Sequence, residues 1–259
     1  HSYSVNKSME TSMERLASGK RINSAADDAA NLAISTRITA EIQGLKQSIK
    51  NAGDAQSLLN VTEGALTEVH TILLRMRELA VQSSNESLRD QDRDVLQMEV
   101  AALESEIQRI SDDTTWSGMT LLAGGFTTGA TFQIGPRDTD TIQISIEAID
   151  ATTATALGLS SHVSLQANAQ DYIVTIDNAI SKISEQRGKY GAVINRLDHA
   201  MANMANIVTN LSAAKGRLED ADYAAESANL ARTQVLQQAS MAMLAQANAS
   251  KQNILALFQ

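Results

Sequence analysis

One apolar line constrains this chain more than any other feature. Stepping alternately three and four residues gives Ile173, Ile176, Ile180, Ile183, Arg187, Tyr190, Ile194, Leu197, Met201, Met204, Val208, Leu211, Lys215 and Leu218. Only Arg187 and Lys215 interrupt the seam. That period puts every member on one helix face, which must be buried against other helices. Such a helix is roughly 65 Å from end to end. The expected fold is therefore mainly α: a long antiparallel helical bundle, or rod, with a small β-hairpin element at its far end.

The composition suits a bundle. Aromatics make up 3% of the 259 residues, and Pro136 is the sole proline. Scarce aromatics leave few bulky core anchors, while Ala and Leu favour close helix packing. With no Cys, there is no disulfide framework, thiolate metal site or Cys nucleophile. The net charge of −9 is spread along the chain, which speaks against general nucleic-acid binding. No apolar run reaches membrane-spanning length, so membrane insertion is not expected. Nor is there a basic segment followed by an apolar one, as a cleavable signal peptide requires.

Along the chain, a short polar helix is expected around Met9, Met13 and Leu16. A break follows over Ser18–Ser24, where Asn23 or Ser24 could cap the next helix with Asp27 and Asp28 in its first turn. That helix carries Ile38, Ile42, Leu45, Ile49, Ala52, Leu59, Leu66, Val69, Leu73, Met76 and Ala80. Gly44, Gly53 and Gly64 lie inside it; each costs about 1 kcal/mol relative to Ala, so close helix packing is expected there. After a turn near Ser83–Ser87, a shorter helix presents Leu96, Val100, Leu103, Ile107 and Ile110. From Thr114 to Ser164 Gly and Thr punctuate the chain. Two alternating segments, Thr131–Ile134 and Thr141–Ile146, flank Gly135–Asp138 and read as a β-hairpin. The seam helix then runs to a break at Lys215-Gly216-Arg217, and a last helix begins near Asp222.

Catalytic and metal chemistry find no support. The four histidines lack ligand spacing, and no nucleophile elbow, Walker loop or dinucleotide fingerprint occurs. Asp138-x-Asp140 and Asp220-x-Asp222 lack the other ligands of a calcium loop and read as turn and cap residues. No catalytic residue, metal or cofactor is assigned, and an enzyme is not expected. The positive signal lies in the last helix. Leu230, Val235, Leu236, Met241, Leu244, Leu255 and Phe258 cannot all face one partner helix. A helix apolar on several sides is buried or awaits a partner. The economical partner is another copy, and a head-to-tail interface that does not close gives a filament.

Several motifs carry a family resemblance. Arg15-Leu16-Ala17-Ser18-Gly19-Lys20-Arg21-Ile22-Asn23-Ser24-Ala25-Ala26-Asp27-Asp28-Ala29-Ala30 closely resembles the N-terminal signature of bacterial flagellins. Further flagellin-like motifs are Thr62-Glu63-Gly64-Ala65-Leu66, Arg75 to Gln82, Glu219 to Glu226, and Gln246-Ala247-Asn248. The resemblance covers essentially the whole chain. It implies a structural subunit of the flagellar filament, self-assembling through terminal and outer-core helices. The implied organisation is 1–28 as the remnant of an N-terminal inner-core helix and connector. Next, 29–214 is an outer-core helical rod containing a 115–150 β element. The rest, 215–259, is a connector and C-terminal inner-core helix. The variable outer domains of larger flagellins are absent. The start looks shortened by ~15 residues, about four helical turns, which leaves polymerisation of the chain open on sequence grounds.

By the same resemblance, Arg75, Leu79 and Glu99 match the residues through which some flagellins contact the vertebrate Toll-like receptor that senses them. The more basic reading is that they make filament contacts. Leu230 to Phe258 resembles the segment bound by the flagellar export chaperone. Secretion would follow the non-cleaved flagellar type III route to the extracellular flagellum. Two alternatives stay open: a cell-surface binding protein or adhesin on a flagellin scaffold, using Trp116 and the hairpin, and a hook–filament junction protein.

Overall fold

The computed structural model describes residues 2–123, 129–144, 146 and 166–256. Among them are five helices and two short strand pairs. The order is α1 (Ser2–Ser18), α2 (Ala29–Ser83), α3 (Asp90–Asp113), β1 (Thr115–Trp116), β2 (Met119–Thr120), β3 (Ala130–Gln133), β4 (Thr141–Ile144), α4 (Gln166–Glu219) and α5 (Tyr223–Ala256). They fall into two compact units: residues 44–206, and residues 1–43 with 207–259.

In the 44–206 unit, α2 buries two ladders with a strict repeat of seven. Leu45, Ala52, Leu59, Leu66, Leu73 and Ala80 form one, and Ser48, Ala55, Thr62, Val69, Met76 and Ser83 the other. On α4 the residues Ile176, Ile183, Tyr190, Leu197 and Met204 are buried at the same interval. Their companions are Tyr172, Ala179 and Gln186, not Ile173, Ile180 and Arg187, which are half-buried. The expected seam is thus right in one line and displaced by one residue in the other. Both choices alternate three and four through Ile176, so periodicity alone cannot separate them. Polar partners do. Tyr172 Oη donates to Glu104 Oε1 at 2.7 Å, and Gln186 Nε2 donates to Tyr190 Oη at 2.8 Å. Arg187 then falls on the flank, where its Nε donates to Glu63 Oε1 at 2.8 Å. Burial, and then the bond to Glu104, push the Tyr172 phenol well above its ordinary range.

The directions of the helices follow from their cross-ties. Gln56 meets Asp198, Glu63 meets Arg187 and Arg77 meets Asp177, so numbers fall on α4 as they rise on α2 and the two are antiparallel. α3 folds back along α2: Arg75 pairs with Glu99, and the buried Arg93 donates to the carbonyls of Ser83 at 2.9 Å and Asn85 at 2.9 Å. That guanidinium supplies donors to carbonyls at the C-terminal end of α2.

The hairpin lies where alternation puts it. β3 and β4 are antiparallel, with Phe132 opposite Ile142, and Ile142 and Ile144 are buried. Its turn rests on α2. A Cβ added to Gly44 would stand 3.3 Å from Pro136 Cβ, and Asn51 Nδ2 donates to Gln133 O at 3.0 Å. Close approach therefore explains Gly44 but not Gly53 or Gly64, where a Cβ would meet nothing within 4 Å. β1 and β2 form a second, minimal hairpin through Ser117 (φ 50°) and Gly118 (φ 81°), a turn with both central residues left-handed. Trp116 is half-buried in it.

In the other unit the two signature loops clasp each other. Lys20 and Asp220 form an isolated antiparallel bridge, Ala221 N donates to Gly19 O at 3.0 Å, and Arg21 Nη2 donates to Leu218 O at 2.8 Å. Gly19 sits at φ +71° to make that approach. Two boundary expectations need correction. The N-cap of α2 is Asp28, whose Oδ1 accepts from Asn31 N at 3.0 Å. Asn23 and Ser24 instead donate their backbone N–H groups to Asp27 Oδ2, forming a turn ahead of the helix. The seam helix also does not break at Lys215-Gly216-Arg217. It runs to Glu219, because Asp220 N closes the last turn on Gly216 O at 2.8 Å and the Asp220 carboxylate fills the space beside Gly216.

Candidate assembly surface

α5 starts cleanly. Asp222 Oδ1 accepts from Ala224 N and Ala225 N at 2.9 and 3.2 Å, capping the first turn. α1 then packs along it in the opposite direction. Tyr223 Oη donates to Leu16 O at 3.1 Å. Glu226 receives Ser12 Oγ and Arg15 Nη1, both at 2.9 Å. Gln237 Nε2 donates to Asn6 Oδ1 at 3.0 Å. The hydrogen bond from Arg15 is the main reason the Glu226 carboxyl is held below the usual range, with Ser12 adding to it. Beside this pair runs a polar groove of about 350 Å³, lined by Ser8, Thr11, Asn229, Arg232 and Thr233 as well.

Asn6 lies level with Gln237, about one turn from Ser2 where the described α1 begins. Several apolar side chains of α5 are exposed. Val235 is 64% exposed, Leu236 47%, Met241 62% and Leu244 51%. Leu230, beside α1, is half-buried. Met243, 70% exposed, belongs with them. No periodicity singles it out, because the apolar residues of α5 follow no single face. Only the backbone of Leu255 is described, and Phe258 lies outside the described residues. From Leu230 to Ala256 only Arg232 and Lys251 are charged, so little charge would have to be desolvated to cover this surface.

The second candidate set lies in the 44–206 unit. Arg75 and Glu99 meet across α2 and α3 in a doubly bonded pair at 2.8 and 2.9 Å, with Glu78 as a third member at 3.1 Å. The bonds to Glu99 and then Glu78 hold the Arg75 guanidinium more firmly protonated. All three side chains are accessible. Leu79 is different: only 1% exposed, it is a core residue beneath that surface. Exposed apolar neighbours on the same helices are Leu74 and Val81 on α2 and Val95 and Met98 on α3. Alternation and heptads do not reveal these four, since they lie off the buried ladders. Among the described residues no group of three or more His, Asp or Glu could hold a metal ion, and no helix is long and apolar enough to cross a membrane.

Comparison with known proteins places these surfaces in a family. Residues 3–127 match the bacterial flagellin N-terminal helical region, and residues 173–258 match the bacterial flagellin C-terminal helical region. A flagellin of Halalkalibacterium halodurans is 43% identical over 250 residues, covering 96% of this chain and 92% of that one. A flagellin of Bacillus subtilis is 38% identical over 287 residues, covering 99% and 94%. The crystal structure of Bacillus cereus flagellin superposes with a TM-score of 0.54 at 33% identity, covering 64% of this chain and 94% of that one. By these matches over nearly its whole length, the chain belongs to the bacterial flagellin family.

Proposed function

We propose that the exposed apolar side chains of α5 form the principal surface through which this flagellin meets its neighbours. The chain is a structural subunit of the flagellar filament, a helical homo-polymer outside the cell, and not an enzyme. The observation that carries the proposal is the exposure of Val235, Leu236, Met241, Met243 and Leu244 on one nearly uncharged helix. Large apolar side chains grouped in water along one helix mark a surface that another molecule covers. Burial against other subunits at roughly 25 cal/mol per Å² would supply a large driving force for assembly.

The same surface needs a cover before assembly. An export chaperone seated on Leu230 to Phe258 would supply one, and export through the flagellar type III route without cleavage fits a segment kept unassembled. The inner core then comprises 1–28 and 215–259, and the outer core 29–214. On the outer core, Arg75 and Glu99 present the polar side chains through which an innate immune receptor, or an adjacent subunit, would dock. Leu79 would act from beneath by holding α2 against the core. Trp116, half-buried in its hairpin, gives no flat aromatic platform that would favour an adhesin.

Seeded elongation tests the reading. Monomers are added to filament seeds, both as they stand and with a flagellin N-terminal stretch ahead of His1, and growth is followed by electron microscopy. Val235→Asp with Met241→Asp should abolish elongation while leaving monomer helicity unchanged. Undiminished growth by the double variant would remove α5 as the main surface.

A further inference from the structure

We propose that the ion pair of Glu63 and Arg187 is a register key that holds α2 and α4 at one longitudinal setting. The need for one comes from the regularity of the core. α2 buries two unbroken seven-residue ladders, and α4 buries residues at the same interval from Ile176 to Met204. Sliding one helix past the other by seven residues returns buried positions to buried positions. Hydrophobic periodicity therefore fixes the facing sides but not the level.

The ion pair does discriminate. Arg187 Nε donates to Glu63 Oε1 at 2.8 Å, and each side chain is about one-third exposed. Glu63 Oε2 is buried and has no hydrogen-bond partner in the protein, so this carboxylate depends on Arg187. Beside it, Gln186 Nε2 donates to Tyr190 Oη within α4, a bond that any slip would carry along, so the discrimination rests on the ion pair. A seven-residue slip would set Glu63 against Ile180 or Ile194 and leave a half-buried carboxylate without its cation. The two other ties would fail as well. Arg77 would meet Gln170 or Ser184 in place of Asp177, and Gln56 would meet Gly191 or Ala205 in place of Asp198. Those ties are more exposed and individually weaker, whereas Glu63 is only one-third exposed and its Oε2 is shielded from solvent, so losing its cation costs more. A single polar residue within a heptad core sets register in coiled coils by the same means. In a filament subunit the consequence is positional. Level determines which α4 residues stand beside the α2 residues of the lateral surface, so the key makes every subunit present the same face.

The absence of cysteine permits a direct test. Thr71→Cys on α2 and Asn195→Cys on α4 are exposed positions for spin labels, and pulsed dipolar spectroscopy on the full-length monomer gives their distance distribution. The parent should give one narrow peak. Glu63→Arg, which sets cation against cation, should add a second population displaced by about 10 Å along the axis, seven residues at the helical rise. Adding Arg187→Glu should restore the single peak. A Glu63→Leu, Gln186→Leu, Arg187→Leu variant, with a continuous apolar seam, should stay helical and still show both populations. One unchanged narrow peak in all variants would show that side-chain packing alone sets the level and would overturn the key. Loss of helicity in the charge-reversed double variant would overturn it too, because a key that acts by pairing tolerates exchange of its two halves.

Discussion

The 44–206 core and the terminal helix α5 are built from similar residues and meet opposite fates. Leu, Ile, Met and Ala dominate both. On α2 and α4 they recur at seven and are buried; on α5 they follow no such repeat, and Val235, Met241 and Met243 stand mostly in water. Order along the sequence, rather than hydrophobicity, separates the two. A heptad concentrates apolar area on one stripe that one or two neighbours can cover within the chain. A scattered pattern asks for neighbours on several sides, more than one partner helix can provide. The first kind of helix makes a subunit, and the second makes it incomplete alone.

The largest expected effect breaks this contrast if it is wrong. Leu73→Asp places an unpartnered carboxylate at a fully buried ladder position and should destabilise the monomer by more than about 4 kcal/mol. Val235→Asp should change monomer stability by no more than about 0.5 kcal/mol, as exposed substitutions do. Urea unfolding followed by circular dichroism measures both. Comparable losses would mean that α5 is already covered within the monomer.

A smaller effect sits at the junction of the two helix types, where Glu226 ties α5 to α1. Its carboxyl is held below the usual range, first by Arg15 and then by Ser12. The folded form therefore binds its proton more weakly than the unfolded form. The stabilisation is fully present above the ordinary carboxylate range and is lost as pH falls through the lower folded value. Protection factors of the α1 amides, corrected for the intrinsic pH dependence of exchange, should fall on acidification below about pH 4.5, near the ordinary Glu value. In Glu226→Gln the low protection should already be present at neutral pH, with that acid step diminished. An acid step of full size in the variant would assign it to other groups, such as Asp27 and Asp28, whose carboxyls are also lowered by backbone N–H groups.

Much of this was legible in the residues, and the limits are physical. The existence of the long helices, the β3–β4 hairpin and the exposed apolar character of α5 follow from patterns of period seven, of period two and of neither. The end of α4 at Glu219, beyond Gly216, did not follow, nor did three further details. Tyr172, Ala179 and Gln186 replace Ile173, Ile180 and Arg187 in the core because a neighbour, Glu104, attracts Tyr172, and heptads contain no information about neighbours. Asp28 caps α2 because Asp27 first captures the preceding amides. Leu79 belongs to a site by motif resemblance yet to the core by burial, and only packing distinguishes a residue that presents a surface from one that supports it.

The smallest effect sharpens the contrast within α2 itself, between glycines that look alike in sequence. Gly53 and Gly64 have open space where a Cβ would stand, so Ala there gains helix propensity without steric cost. Gly53→Ala should stabilise the monomer by about 0.5–1 kcal/mol. At Gly44 the same gain is opposed, since the new Cβ would press on Pro136 at 3.3 Å. Gly44→Ala should therefore stabilise less than Gly53→Ala, and any deficit should come from the hairpin. Exchange of the β3–β4 amides reads that directly: faster in Gly44→Ala, unchanged in Gly53→Ala. If both variants stabilise equally and leave the hairpin amides alone, the Pro136 contact does not restrain α2, and Gly44 joins the other two as a glycine that packing does not require.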